Sequence, residues 1–502
     1  MTADNQALED AIAEPKGFGR TFWMLNIMEM WERLAYYGLR VVAPIYIMQA
    51  DSPGGLHFTS AQKGKIYAGW NLTQSFLPMF TGGYADRYGY KLTIFVSVFI
   101  KILGYLLMAT QRSYAGFLIG TLVLAAGTAV FKPGIQGSLA QTLSKKNSSL
   151  GWSLFYALVN LGAWIGPYLA HYLKGIGWPA VFYGCAVIVA LNFPMLLTYR
   201  DPPSGARATD GFAKVFVETM KNLRDLRLLV LILILAGFWM MMYQIWDLHP
   251  NFVVDWIDST TVAEHLKVLP DFIRNRMVEQ TSRGVQVSQE QMLNLNALLV
   301  MLLVAVVGHA VRNMRRLVCM QFGIILAIAG VLTSGLTSSG YIFLLGILFF
   351  SLGEMFTGPK KNEYFGLIAP PGKKGLYLGY VNIPIAIGAG VGAMIAGWAY
   401  GMLGEKAVLA QRYIAEHTPF GQRLNWSGEL AQLESTLGVA RSQAMVKLQE
   451  LIGQDATATT ELLWRTYAPY RVWYFFAAVG VSAALALFLF NRRARHWSDM
   501  NV

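Results

Sequence analysis

The sequence predicts an all-α integral membrane protein with twelve spanning helices in two six-helix bundles. Three observations carry that prediction. Of 502 residues, 55% are hydrophobic and only 14% are charged, where a soluble domain carries roughly 25%; mean hydropathy is +0.40. Runs of about 20 apolar residues recur along the whole chain, each able to cross roughly 30 Å of hydrocarbon as helix. Lys and Arg concentrate in alternate connections, as they do on the cytoplasmic side of membrane proteins.

The spans fall at 21–49, 63–83, 91–110, 114–140, 151–173, 179–199, 227–256, 291–311, 316–337, 341–367, 374–402 and 469–491. Glycine, 49 in all, is frequent within them, which suits helix packing in lipid. A polar tail, 1–20, carries Asp4, Glu9, Asp10 and Glu14 and shows no small-residue cleavage site, so no cleaved signal peptide is expected. The first bundle is 21–199 and the second 227–491. The connection 200–226 opens with DPPSGARATDG, a turn-rich break, and continues FAKVFVETMKNLRDL, an amphipathic surface helix. One set of connections holds Arg87, Lys91, Lys145, Lys146, Arg200, Arg207, Lys214, Arg312, Arg315, Lys373 and Lys374, with Arg492, Arg493 and Arg495 in the tail 492–502. The short connections of the other side hold only Lys63, Lys65, Arg112 and Lys174. Both termini are therefore expected in the cytoplasm, the chain lying in a plasma membrane, bacterial inner membrane in type.

Several function classes drop out. The net charge of +12 sits at membrane borders, not on one soluble face, which argues against a nucleic-acid partner. Cys185 and Cys319 lie in apolar spans and suggest packing, with no disulfide framework, metal site or cofactor. No Walker loop, GxSxG elbow or HExxH pair marks an enzyme. Two insertions face outside. Residues 257–290 are polar and partly helical in pattern. Residues 403–468 place Leu430, Leu433, Leu437, Ala440, Ala444 and Leu448 at a helical period that Gly438 weakens. The longer insertion reads as a helical hairpin over the outer mouth, or alternatively as a docking element for an extracytoplasmic protein.

The first span is the unusual one. EMWERLAYYGLR, 29–40, holds Glu29, Glu32, Arg33, Tyr36 and Arg40 at offsets 0, 3, 4, 7 and 11. At 3.6 residues per turn these form one stripe about 16 Å long. Each charge at a bilayer centre costs about 2.5–3.5 kcal/mol on insertion scales, so the stripe must face partners or water. Lys132 in the fourth span and Glu354 in the tenth add to it. Two readings fit: a static ion-pair lattice, or a substrate and proton site whose pairings exchange. In the second, an acid that loses its arginine partner to a substrate carboxylate takes up a proton, because desolvation then favours its neutral form.

EMWERLAYYG resembles the ExxERFxYYG signature of the proton-coupled oligopeptide transporters, a branch of the major facilitator superfamily, with Leu34 the only departure. GGYADRYGYK, with Asp86 and Arg87, is similar to the superfamily's loop motif; AVFKPG, FYALVNLGAWIGP and LGEMFTGP resemble the family's fourth-, fifth- and tenth-span segments. The resemblance implies a major facilitator fold and import of small peptides or peptide-like zwitterions with protons. By that resemblance Arg33, Arg40 and Lys132 would meet the carboxylate end of the cargo. Glu354 would meet its amino end, with Asn160 and Asn296, and Tyr36 and Tyr37 would line the pocket. Glu29 and Glu32, with Arg33 and Lys132, would carry the proton switch.

The departures from the pattern are specific. In FWMMMYQIWD, Tyr243 stands where the family has an acid that pairs with the residue matching Arg40. Asp247, one turn on, is either its replacement and an outer gate, or a residue of the outer border. Ser75 and Tyr380 replace two family aromatics, a tyrosine and a tryptophan. Lys101 is read as a snorkelling or packing lysine, Lys360 and Lys361 as reaching headgroups, and His171, His249 and His309 as interfacial. Two rival functions stay open: the same machine moving another organic solute, and a non-transporting receptor or scaffold built around 403–468.

Overall fold

The computed structural model describes residues 18–78, 81, 85, 88–143, 147–198, 201, 217, 221, 224–370, 377, 379–497 and 500. The tail 1–17, Asp86 and Arg87, and nearly all of the connection with its expected amphipathic helix lie outside the described residues.

The first bundle comprises α1 (Arg20–Met48), α2 (Ser60–Phe76), α3 (Tyr90–Thr110), α4 (Tyr114–Gln141), α5 (Ser148–Ile176) and α6 (Trp178–Leu196). The second comprises α7 (Leu226–Asp247), α8 (Gln289–Ala310), α9 (Arg316–Gly335), α10 (Gly340–Leu367) and α11 (Asn382–Leu403). After the helices of the long insertion, α12 (Lys406–His417), α13 (Ala444–Ile452) and α14 (Ala456–Tyr467), it closes with α15 (Val472–Ala494). Ten of the helical segments are long and apolar enough to span a membrane; α1 and α2, the polar pair, complete the twelve. The second bundle thus keeps the order of the first, with its insertions in two of the connections.

Glycine decides how closely these helices approach. A Cβ on Gly38 of α1 would lie 2.9 Å from the Gly166 carbonyl oxygen of α5, so only bare backbones can cross there. Between the bundles, α2 and α11 pack in the same way: a Cβ on Gly64 would lie 2.6 Å from the Ala393 oxygen, and one on Gly397 2.5 Å from the Ser60 oxygen. This contact, with α1 against the continuation of α7 (His249–Trp256) and α5 against α8, joins the bundles at the end that carries both insertions. At the opposite end, where the connecting segment runs, the ion pairs Arg316–Glu363 and Lys360–Glu363 stay within the second bundle. No ion pair links the bundles there among the described residues.

The insertions differ from the expected pattern in two places. Residues 257–290 form short helical turns and an antiparallel hairpin, β1 (Val278–Thr281) and β2 (Gly284–Val287), with Val278 opposite Val287. The alternation in VEQTSRGVQV carries that strand signal. The periodic stretch 430–448 is not one helix: Gly438, at φ +61°, ends the turn Leu433–Leu437, and α13 begins only at Ala444. Leu433, Leu437, Ala444 and Leu448 are buried, so the periodicity recorded a shared apolar face across a break. Arg441 anchors the insertion, with Nη1 2.7 Å from Glu405 and Nη2 donating to the His57 carbonyl at 2.5 Å.

Candidate functional site

The stripe on α1 is buried along its length, and its charges find partners in three groups. In the first, Arg33 Nε lies 2.7 Å from Glu29 Oε1 and 3.2 Å from Glu32 Oε2. Lys101 of α3 approaches Glu32 Oε1 at 3.5 Å and sits 3.6 Å from the centroid of the Phe131 ring. Lys101 therefore turns inward to a buried acid rather than snorkelling. Lys132 of α4 is in electrostatic reach of Glu29, Glu32 and Arg33. Two acids and three bases thus share one pocket of the first bundle, leaving a net positive charge there.

The second group belongs to the facing bundle. Asn296 of α8 donates to Glu354 Oε2 at 3.1 Å and to Ser351 Oγ at 3.0 Å, which orients the carboxylate. Tyr37 of α1, Tyr156 of α5 and Lys361 of α10 are in electrostatic reach of Glu354, and Lys361 is also in reach of Lys132. Tyr37 packs across the interface on Trp246, centroids 5.4 Å apart. Asn160 donates to the Tyr156 carbonyl at 2.8 Å, one turn along α5. Tyr36 turns the other way, its ring edge on Trp70 at 6.1 Å. Tyr37, in reach of Arg33 and Glu354, and Lys361, in reach of Lys132 and Glu354, thus connect the ions of the first bundle to the carboxylate of the second.

In the third group Arg40 Nη2 lies 2.9 Å from Asp247 Oδ1 and 2.8 Å from Asn71 Oδ1. Both ions of the pair are 1% exposed, which excludes a border position for Asp247. Tyr67 and Trp70 flank the guanidinium, at 4.5 and 4.6 Å from its carbon. Asn71 also donates to Asp247 Oδ2 at 3.3 Å and to the Ala389 carbonyl at 3.2 Å, and so touches α7 and α11 together. Lys63 donates to the Asp247 carbonyl at 2.5 Å and to Asn251 Oδ1 at 2.9 Å. Asn251 in turn donates to the Pro44 carbonyl and to Gln49, and Gln49 to Asp255 at 2.6 Å. On the far side of the interface Glu290 of α8 receives His171 at 2.7 Å and Lys174 at 2.9 Å, both from α5. Two separate polar latches therefore hold the insertion end shut.

Lys63, Asn71, Asn251, Lys101 and Tyr156 were not among the residues assigned from sequence. Lys63 and Asn71 are each four residues from Tyr67 along one face of α2, and that stripe was the available signal. Other expectations need correction. His249 is fully buried, with Nε2 2.9 Å from Ser334 Oγ and its ring 4.1 Å from that of Trp473, because the apolar second bundle closes around it. His171 is likewise an interbundle partner, not an interfacial residue, whereas His309 is exposed. Lys360 pairs with Glu363 at 2.9 Å, and Lys361 lies 4.4 Å from the Trp239 ring; both are buried rather than reaching headgroups.

Residues 27–393 match the family model of the Major Facilitator Superfamily. The chain belongs to this superfamily. Among its relatives, this facilitator is 29% identical over 193 residues to the uncharacterized transporter YclF of Bacillus subtilis, covering 36% of the chain and 39% of the relative. It is 25% identical over 265 residues to a di-/tripeptide transporter of Lactococcus lactis subsp. cremoris, covering 49% and 50%. The alignments thus span half or less of those two relatives' lengths. Among solved structures, the facilitator superposes on a POT family transporter in complex with 5-aminolevulinic acid with a TM-score of 0.65 at 14% identity, covering 94% of this chain and 96% of that one. It superposes equally on the nucleoside transporter NupG, at a TM-score of 0.65 and 12% identity over 94% of this chain and all of that one.

Proposed function

We propose that this facilitator is a proton-coupled symporter that imports small peptides or peptide-like zwitterions by alternating access. The observation that carries the reading is the arrangement of charge: Arg33 and Lys132 share the first bundle with Glu29 and Glu32, close enough to exchange partners, while Tyr37 and Lys361 connect that group to Glu354 on the second. A zwitterion bridges such a gap, its carboxylate on the bases and its ammonium on Glu354. When the carboxylate takes Arg33, Glu29 loses its counter-ion in a desolvated place and accepts a proton. Arg40 and Asp247 would form the outer gate, opened when Asp247 is protonated. Asp247 in this reading takes over from the acid that Tyr243 replaces. In this reading the closed insertion end is the outer side, both termini lie in the cytoplasm, and the membrane is a bacterial plasma membrane.

Two observations support the substrate class. The di-/tripeptide transporter of Lactococcus lactis is among the relatives, and a similarly folded POT family transporter binds 5-aminolevulinic acid, a zwitterion that is not a peptide. The test is uptake into proteoliposomes under an imposed inward proton gradient. Peptide-dependent acidification of the lumen is expected. Acidification only with other organic solutes would assign the same machine a different cargo. Binding without flux would favour the receptor reading and direct attention to 403–468.

A further inference from the structure

The two insertions roof a chamber of about 550 Å³ at the insertion end, separate from the charged stripe. Its floor includes Ile45, Gln49 and Gln289; its walls come from the hairpin β1–β2, the N-terminus of α12 and one face of α13. Five ionic side chains line it: Lys174, Arg283 and Lys406 against Asp51 and Glu279. Lys174 is committed to Glu279 at 3.0 Å and Glu290 at 2.9 Å. Arg283 spends one nitrogen on the Val254 carbonyl at 2.9 Å and pairs with no acid among the described residues. Lys406 is the unusual member. Its side chain is 8% exposed and lines the chamber, yet its ammonium makes no hydrogen bond or ion pair among the described residues. An ammonium that opens into a chamber without a contact partner is free to take a ligand's carboxylate. The Lys406 backbone N–H donates to Asp255 Oδ2 at 3.2 Å, and Asp255 and Asp51 are in electrostatic reach of its ammonium.

We infer that the chamber is a second binding site, an outer one, for a small carboxylate-bearing zwitterion, held by Lys406 and Arg283 at the carboxylate and by Asp51 at the amine. Its size admits a di- or tripeptide. The chamber reaches Gln49, which donates to Asp255 at the outer end of the latch that runs down to Arg40 and Asp247. A solute held there waits at the closed gate, at a local concentration the bulk does not provide. That loading role rests on the transport reading above; binding in the chamber does not.

The experiment uses the full chain, purified, with Gln449→Cys placed on the chamber wall and Glu354→Gln disabling the central site. Cys185 and Cys319 are buried and contribute little background. Labelling is followed with anionic ethylsulfonate and cationic trimethylammonium methanethiosulfonates. The anionic reagent is expected to react several-fold faster, and alanyl-alanine to slow it at least fivefold, while alanyl-alaninamide, which lacks the carboxylate, does not. Lys406→Gln abolishes both effects and Lys406→Arg retains them. Should Lys406→Gln fail to fold, Arg283→Gln, in the half-buried turn of the hairpin, is expected to weaken protection by itself. Absence of protection in the parent, or equal protection by the amide, overturns the site. Proton-driven uptake by the chain with native Glu354 is measured in parallel. Protection without uptake keeps the chamber and removes the carrier reading; uptake without protection does the reverse.

Discussion

Arg40 and Asp247 meet across the two bundles at 2.9 Å, each 1% exposed, although 207 residues separate them in the chain. A buried pair of this kind adds little net stability, but removing one partner costs about 3–5 kcal/mol, because the other charge is stranded. It is therefore suited to a contact that must form in one state and release in another.

Asp247→Asn tests that relationship. The variant keeps the shape and removes the charge. Proton-driven uptake is expected to fall at least tenfold and to lose its dependence on external pH. Uptake that kept its pH profile would return Asp247 to a purely structural role.

Glu354→Gln addresses the amino end of the cargo. A charge-assisted hydrogen bond is worth about 1.5–3 kcal/mol, so affinity for a free dipeptide is expected to drop roughly 10- to 100-fold. N-acetylated peptide, which has no ammonium, should bind both forms alike. Isothermal titration reads both; an equal loss for the two ligands would contradict the assignment.

Lys101 is predicted to be coupled to Glu32, its neighbour at 3.5 Å. Lys101→Met should lower the melting temperature by leaving Glu32 with Arg33 alone at contact distance, and adding Glu32→Gln should restore part of it. Additive losses in the double variant would show that the two side chains do not sense each other.

Gly397→Val targets the closed end without touching a charge. The added side chain would begin 2.5 Å from the Ser60 oxygen, so α2 and α11 must separate. A cysteine at Val253, buried in the chamber wall, is expected to label at least tenfold faster in this background. An unchanged rate would mean that the bundles yield elsewhere.

Much of the machine was legible in the sequence because helical periodicity is local. Glu29, Glu32, Arg33 and Arg40 share a face by spacing alone, and the hydropathy runs place that face in a bilayer. The same reasoning failed at 430–448, where an apolar period persisted through a left-handed glycine. It also missed β1–β2, whose alternation is only four residues long in each strand. Lys101 was left between snorkelling and a packing pair because nothing in a neighbouring span's sequence says which of its turns stands level with Glu32.

The sequence by itself determined the membrane fold, the two bundles and the direction in which α1 points its charges, since each follows from the side chains of a single helix. Only the tertiary structure decided who meets whom. It set Asp247 rather than Tyr243 against Arg40, recruited Lys63 and Asn71 to the same knot, and left Lys406 without an ion pair among the described residues beneath the insertions. Such choices depend on the angle and depth at which whole helices dock, and no stretch of chain shorter than the bundle carries that information.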